Sequence, residues 1–322
     1  MRRREFIAGL AGATALPASI QAQQQALPVI GYLMEGGRWG PPFKAAFARG
    51  LAESGYVEGR NLAIEGRFAM SDTMALREQA ADLVRRRVAV IATPATLLGT
   101  LAAKAETKTI PIVFAVSVDP VQTGLVTSLN RPSGNLTGYT EANTEVWSKR
   151  LGLLRELVPM TTHFGVLDYP GNPLVANETR AAAEAAGLPI EIFSVSDDTG
   201  IEAAFSDLRR KGVDALLVSP GPFFFAHRNQ IFRLAASHGV PVAYHLREYA
   251  EAGGLMSYGS SVAEGFRQVG IYTGRILKGA RPAELPVVRP TKFELVINAK
   301  AAKALGLEIS RTLLAIVDEV IQ

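Results

Sequence analysis

Cysteine is absent from the 322 residues of the sequence. The chain therefore has no thiolate nucleophile, no disulfide bond and no cysteine through which a lipid could tether it to a membrane. Aromatic residues make up 7% and charged residues 20% of the sequence, whereas 48% is hydrophobic. This balance supplies enough apolar side chains for a packed core and excludes a disordered or fibrous chain.

The sequence also lacks the motifs of common enzyme classes. It contains neither the Gly-x-Ser-x-Gly of a nucleophile elbow nor a P-loop, and glycine-rich residues 36–40 lack the dinucleotide-binding spacing. The four histidines are not at metal-ligand spacing. We predict no cofactor, no metal and no catalytic residue. An active site built from residues distant in sequence stays an alternative.

The charge pattern argues against a nucleic-acid partner. The net charge is +4, and the basic clusters include residues 2–4 and 85–87. The second cluster ends a predicted helix, where cations suit the negative end of the helix dipole. A solvated helix end explains it without a nucleic acid, so we predict no such partner.

Residues 1–22 have the pattern of an export signal, with arginines first, then a short apolar stretch and small residues before a polar junction. The motif Arg3-Arg4-Glu5-Phe6 resembles a twin-arginine signal, and an ordinary secretory signal is the alternative. We expect cleavage after Ala22. No later apolar run has the length that spans a bilayer, so we expect a soluble periplasmic protein without a lipid anchor.

Short apolar runs then alternate with stretches of helical periodicity. Residues 88–92 are continuously apolar, as in a strand buried on both faces, and residues 75–87 have apolar side chains at helical spacing. The alternation occurs in two successive runs. It predicts an α/β fold of two Rossmann-like lobes, each with a parallel sheet flanked by helices. We also predict a short helix over residues 121–129.

The two runs suggest where the lobes divide. The turn-rich residues 131–140 are the expected crossing between lobes, and residues 254–260 the expected return. We assign residues 27–138 and 259–290 to the first lobe. Residues 139–258 and 291–322 form the second lobe, with a ligand cleft between the two.

Polar and turn-forming residues follow most of the predicted strands. In open parallel sheets, ligands bind beyond the carboxyl ends of the strands. The binding candidates chosen on this ground are Glu35, Trp39, Thr93, Pro94, Ser117, Asp119, Asn172, Ser219 and Gly221.

Several of these candidates have a structural alternative. Asp119 and Asn172 each precede a proline and a predicted helix, so they could cap helices as well as contact a ligand. Glu35 could pair with a ligand amine or be a solvated loop charge. Trp39 could stack on a ligand or lie at the rim. Residues 223–225, three phenylalanines, could pack the lobes together or form a ligand wall.

Several motifs together resemble the ABC transporter substrate-binding proteins of the tryptophan/tyrosine-binding-like group, over nearly all of residues 27–310. The motifs that carry this resemblance include Phe47-Ala48-Arg49-Gly50-Leu51, Gly55-Tyr56-Val57-Glu58-Gly59, Asp119-Pro120-Val121, Arg131-Pro132-Ser133-Gly134-Asn135, Lys149-Arg150-Leu151 and Gly253-Gly254-Leu255-Met256-Ser257.

The resemblance implies a periplasmic-binding-protein-like fold of type I that closes on a solute and docks on an ABC permease with its ATPase subunits. It adds Tyr258 to the binding candidates and implies a protein that is not an enzyme. Better-studied members bind aromatic amino acids. Residues 220–225 and 35–37 depart from the pattern of those members, so the ligand need not be aromatic.

Delivery of one solute favours a monomer. A sensory or partner-recruiting binding protein is the alternative from a different class, and an exported enzyme on a similar fold is a third.

Overall fold

The computed structural model describes residues 27–35, 40–69, 72–141, 144–170 and 173–322. These residues form a five-stranded and a seven-stranded sheet, with α-helices packed against both. All but one of the strand pairings are parallel. The predicted α/β fold with two parallel sheets flanked by helices is confirmed. The expected export signal, residues 1–22, lies outside the described residues.

The first sheet has the strand order β2-β1-β3-β4-β5. In chain order its strands are β1 (Val29–Glu35), β2 (Ala63–Ala69), β3 (Val90–Thr93), β4 (Ile112–Val116) and β5 (Leu136–Thr140). The central strands β3 and β4 are buried along their whole length. This burial explains their continuous apolar sequence, because helices cover both faces of the sheet.

The second sheet has the order β12-β11-β10-β9-β8-β6-β7. Its strands are β6 (Phe164–Asp168), β7 (Ile190–Ser194), β8 (Ala215–Val218), β9 (Val242–Tyr244), β10 (Met256–Gly259), β11 (Glu294–Asn298) and β12 (Glu319–Ile321). The antiparallel pair is β10 with β11. Between these two strands the chain forms a helix, residues 262–277, that packs on the first sheet. The chain then returns to the second sheet, where β11 runs in the direction opposite to β10.

Most helices follow a strand of the sheet they cover. They are α1 (Pro41–Glu53), α2 (Thr73–Arg85), α3 (Leu97–Glu106), α4 (Thr144–Leu157), α5 (Pro173–Ala185), α6 (Asp198–Arg210), α7 (Pro222–Ala226), α8 (Arg228–His238), α9 (Arg247–Glu251), α10 (Val262–Leu277), α11 (Ala299–Ala304) and α12 (Arg311–Ile316). Among the described residues, no helix is both long and apolar enough to cross a membrane.

Helix α10 comes from late in the chain yet packs on the first sheet, against α1. Two glycines permit this close approach. A Cβ on Gly50 would lie 2.0 Å from the carbonyl oxygen of Arg267, and a Cβ on Gly270 would lie 2.3 Å from that of Phe47. The two helix backbones are therefore in direct contact, and larger residues would force them apart.

The predicted helix over residues 121–129 is wrong, because this stretch forms turns. Asp119 Oδ1 accepts hydrogen bonds from the backbone N–H groups of Val121 and Gln122, as a helix cap does. Gly124 then adopts a φ of +68°. That conformation interrupts any helix, so the cap is followed by turns.

The stretch expected to cross between lobes includes a strand. Residues 136–140 form β5, which pairs in parallel with β4 from Leu136 to Thr140. Pro132, Ser133 and Gly134 precede this strand as the turn. The strands β11 and β12 also come from a segment in which we predicted no strand.

Candidate functional site

Each sheet has one point at which the chain changes its direction of winding. In the first sheet this point lies between β1 and β3, and in the second it lies between β6 and β8. Loops leaving such neighbouring strands go to opposite faces and leave a crevice beyond their carboxyl ends. The two crevices face one shared cavity.

This space, here called the main cavity, has a volume of about 90 Å³. On a scale of about 10–15 Å³ for each enclosed water, it has room for a small solute. Both sheets contribute to its lining. The contributions from loops beyond the strand ends include Glu35, Thr96 and Ser117 on the first side and Tyr169, Gly221 and His245 on the second.

The walls of the main cavity are largely apolar. Phe223, at the start of α7, lines the cavity, and its ring centroid lies 5.3 Å from that of Tyr169. Phe266 on α10 also lines the cavity. The three consecutive phenylalanines have different surroundings. Phe224 is fully buried, and the ring of Phe225 contacts that of Phe43 on α1. Phe223 therefore forms part of the wall of the main cavity, whereas Phe224 and Phe225 pack against other parts of the protein.

Glu141 follows β5 and lines the main cavity. Burial raises the pKa of its carboxyl to about 7, with Ser260 and Arg150 acting in the opposite direction. A carboxyl with such a pKa gains or loses its proton readily near neutrality. The charge of a bound solute can therefore decide its protonation state.

Arg150 lies on α4 and is 3% exposed. Its Nε donates a hydrogen bond to the carbonyl oxygen of Tyr258 at 2.9 Å. The guanidinium carbon is 4.9 Å from the centroid of the Trp147 ring. Burial lowers the pKa of Arg150 to about 10, which keeps it charged at neutral pH. Nη1 is buried and has no hydrogen-bond partner in the described part of the chain.

Arg150 and Trp147 line a second space, here called the small cavity, together with Ser117, Glu141, His245 and Ser260. His245 is buried. Its burial, and to a lesser extent the positive charge of nearby Arg150, keep its pKa well below the ordinary range. The imidazole is therefore neutral at pH 7. Its Nδ1 also has no hydrogen-bond partner among the described residues.

Comparison with known proteins assigns the chain that forms this cavity to a protein family. The model of the family described as ABC transporter substrate binding protein matches residues 43–321. The chain belongs to this family. The predicted resemblance to these proteins is confirmed, and the family consists of binding proteins.

Individual relatives agree with this assignment. The chain is 24% identical over 271 residues to a tyrosine-binding protein of Clostridioides difficile strain R20291, covering 82% of this chain and 76% of that protein. It is 26% identical to an ABC domain from Streptococcus pneumoniae solved in complex with L-Trp, with a TM-score of 0.83 over 92% of this chain and 100% of that one. A periplasmic sugar-binding protein from Legionella pneumophila shares the fold, with 13% identity, a TM-score of 0.55 and coverage of 81% and 98%.

Three of the predicted binding residues of this substrate-binding protein line the main cavity. They are Glu35 after β1, Ser117 after β4 and Gly221 after β8. Trp39 and Asn172 lie outside the described residues. Their roles in binding stay predictions.

The other predicted residues are not among those that line either cavity. Thr93 is buried with its Oγ1 2.9 Å from that of Thr100, and Pro94 is buried beside it. Ser219 Oγ donates to Asp168 Oδ1 at 2.7 Å. Asp119 caps the turn described above. The ring of Tyr258 stacks on Phe293, while its carbonyl oxygen holds Arg150.

Sequence reasoning missed Glu141 and Arg150 as site residues of this substrate-binding protein. Arg150 does carry a sequence signal, because it lies on the same face of α4 as buried Trp147 and Leu154. A cation within an apolar helix face points to a buried role. Glu141 has no comparable signal, since it follows a strand that was not predicted.

The described residues contain no group of three or more His, Asp or Glu side chains that could hold a metal ion. The two cavities instead combine one buried cation, acidic side chains and aromatic walls. That combination suits a small organic solute with polar and apolar parts.

Proposed function

We propose that this protein binds an amino-acid-like solute between two lobes, in the main cavity, and delivers it to an ABC permease with its ATPase subunits. The observation that carries this proposal is the position of the main cavity at the winding change of both sheets, with both sides contributing to its lining. Closure of the lobes would enclose the solute and expel water.

The lobes of this proposal are residues 27–138 with 259–290, and residues 139–258 with 291–322, except that residues 139–140 complete β5 of the first sheet and Gly259 completes β10 of the second. Helix α10 supports this division, because it packs on the first sheet although β10 and β11 belong to the second. Export through residues 1–22, a periplasmic location, a monomeric state and the absence of catalytic turnover complete the proposal.

The relatives support the solute class. The curated relative is a tyrosine-binding protein, and the Streptococcus pneumoniae domain holds L-Trp. The aromatic walls around Phe223 suit an apolar side chain, and the acidic and basic groups beside them suit the charges of an amino acid.

Thermal unfolding of the purified protein against amino acids, aromatic acids, amines, sugars and purines tests this proposal. A solute at 100 times its dissociation constant adds about 2.7 kcal/mol to the free energy of unfolding. That corresponds to an increase in Tm of a few degrees at this chain length. We expect an increase with amino acids and recovery of the solute unchanged. Chemical conversion of the solute would instead indicate an enzyme.

A further inference from the structure

The small cavity opens directly beside the main cavity. Ser117, Glu141, Pro220 and His245 line both, so the two cavities are immediate neighbours. The small cavity has a volume of about 30 Å³. At about 10–15 Å³ for each enclosed water, it accommodates two oxygen-sized atoms, as a carboxylate group requires.

Arg150 presents an unused donor in this small cavity. Its Nε is engaged by the carbonyl oxygen of Tyr258, whereas the buried Nη1 makes no hydrogen bond among the described residues. A buried donor without an acceptor destabilises a folded protein, and more so when it is charged. An anion with a free oxygen acceptor in the small cavity would offset that cost.

A carboxylate suits this position better than a larger, doubly charged anion. Trp147 and Phe293 line the small cavity as apolar walls, and Glu141 lines it as an acid. A phosphate or sulfate would exceed the space and bring two charges next to that acid. A carboxylate brings one charge, which the guanidinium matches.

Glu141 supplies the opposite charge at the junction of the two cavities. Glu35 also lines the main cavity, so this side of the space is acidic. Burial disfavours the charged form of Glu141. A cationic group of the solute would favour that form again, so an ammonium group is its natural partner.

We propose, on the basis of the solute-binding function above, that Arg150 binds the carboxylate and Glu141 the ammonium of the same solute. The apolar side chain of that solute lies in the main cavity against Phe223. The recognised class is the free α-amino acid, with both charged groups unmodified. Amines and simple carboxylic acids each lack one of the two groups and bind more weakly.

Matched compounds test this assignment on the intact protein. L-Tryptophan, L-phenylalanine and L-leucine are each compared with the amine that lacks the carboxylate and with the acid that lacks the ammonium. Isothermal titration calorimetry measures each dissociation constant. For at least one of the three side chains, we expect the amine to bind at least about 30-fold more weakly than the amino acid, because a buried charged partner is left without its counterpart.

Two variants separate the roles of the two residues. Arg150→Met should weaken binding of the amino acid and of the simple acid by at least about 30-fold. Glu141→Gln should weaken binding of the amino acid by at least about 10-fold, yet leave binding of the simple acid unchanged or tighter. Arg155→Met is the matched control, because Arg155 is an exposed arginine on the same helix, and its affinities should equal those of the wild type.

A structural role for Arg150 predicts a different result. Arg150→Met removes the cost of the buried Nη1 that has no acceptor, but it also leaves the carbonyl oxygen of Tyr258 without its donor, so the two effects on stability oppose each other. We therefore expect Arg150→Met to change the Tm of the ligand-free protein little while it loses affinity. The Glu141→Gln comparison tests the proposal even when Arg150→Met does not fold.

The outcomes distinguish this assignment from the proposed function. Wild-type affinity in Arg150→Met, or equal affinity of the wild-type protein for an amino acid and its matched amine, overturns the assignment and leaves solute binding intact. Failure of the wild-type protein to bind any of these compounds contradicts the amino-acid class itself, and with it both proposals.

Discussion

The ring of Phe43 on α1 meets the ring of Phe225 on α7 nearly edge to face, with 6.4 Å between centroids and 80° between planes. Helix α1 packs with α10 on the first sheet, and α7 follows β8 of the second. The pair therefore connects helices of the two halves of the proposed cleft. Aromatic pairs of this geometry contribute about 0.5–1.5 kcal/mol beyond the area they bury.

We expect Phe225→Leu to weaken solute binding about 2- to 10-fold, because it destabilises the closed arrangement relative to an open one. Calorimetry measures the affinity, and small-angle scattering measures the radius of gyration of the ligand-free protein, which should increase. Phe225 also contacts Tyr249 on its own side, so urea unfolding is measured in parallel. A loss of stability without a loss of affinity would confine the role of Phe225 to the second sheet.

Two glycine-to-alanine changes should have opposite effects on stability. Gly50→Ala places a Cβ within 2.0 Å of the carbonyl oxygen of Arg267, so we expect a loss of about 1–3 kcal/mol in the free energy of unfolding, as in an overpacked core. Gly152→Ala on α4 meets nothing within 4 Å. It should gain about 0.5–1 kcal/mol, because alanine favours the helix. Urea unfolding of both variants checks the difference, and equal values would show that α1 and α10 tolerate separation.

The sequence predicts the architecture better than the site. Short continuous apolar runs between turn residues, such as those of β3 and β4, are typical of strands buried between helices, and the family motifs are local in sequence. Residues 121–129 were predicted as a helix with Asp119 as its possible cap, whereas the positive φ of Gly124 is incompatible with a helix there and the stretch forms turns. Local patterns do not report which of two locally acceptable structures the rest of the chain selects.

The site depends on contacts between distant segments. Glu35 and Ser117 could be found because strand ends gather at one edge of a parallel sheet. Arg150 could not be placed there, because its position depends on the packing of α4 near β10, more than 100 residues along the chain, where Nε reaches Tyr258. Spacing within the sequence does not encode such a contact.

The pKa of Glu141 predicts a pH dependence of stability. In the folded protein its pKa is about 7, above the ordinary 4.5, so the folded state holds this proton more tightly than the unfolded state. The resulting stability is fully present below pH 4.5 and is lost as the pH rises to about 7. The charged or titratable groups around this carboxyl include Arg150, His245, Glu248 and Tyr139.

Glu141→Gln removes that proton linkage. We expect the variant to exceed the ligand-free wild type in free energy of unfolding at pH 8 by up to about 3 kcal/mol. The difference should vanish near pH 4, where the wild-type carboxyl is protonated in both states. Urea unfolding across this pH range measures it, and the comparison cancels the contribution of His245. A difference that does not change with pH would mean that the pKa of Glu141 is the same in the folded and unfolded states.

Phe223 should set the preference for the solute's side chain. Its ring lines the main cavity and is held from behind by His227, at 4.4 Å between ring centroids, and from the side by Tyr169. Truncation in Phe223→Ala leaves space beside the solute, so we expect a 10- to 100-fold loss of affinity for an aromatic amino acid, about 1.4–2.7 kcal/mol. The loss of affinity for L-leucine should be smaller, because L-leucine has no aromatic ring to contact the ring of Phe223. Tyr169→Phe keeps the supporting ring and should bind both solutes as the wild type does. Equal losses for both side chains in Phe223→Ala would instead indicate that the ring holds the loop after β8 in place without contacting the solute.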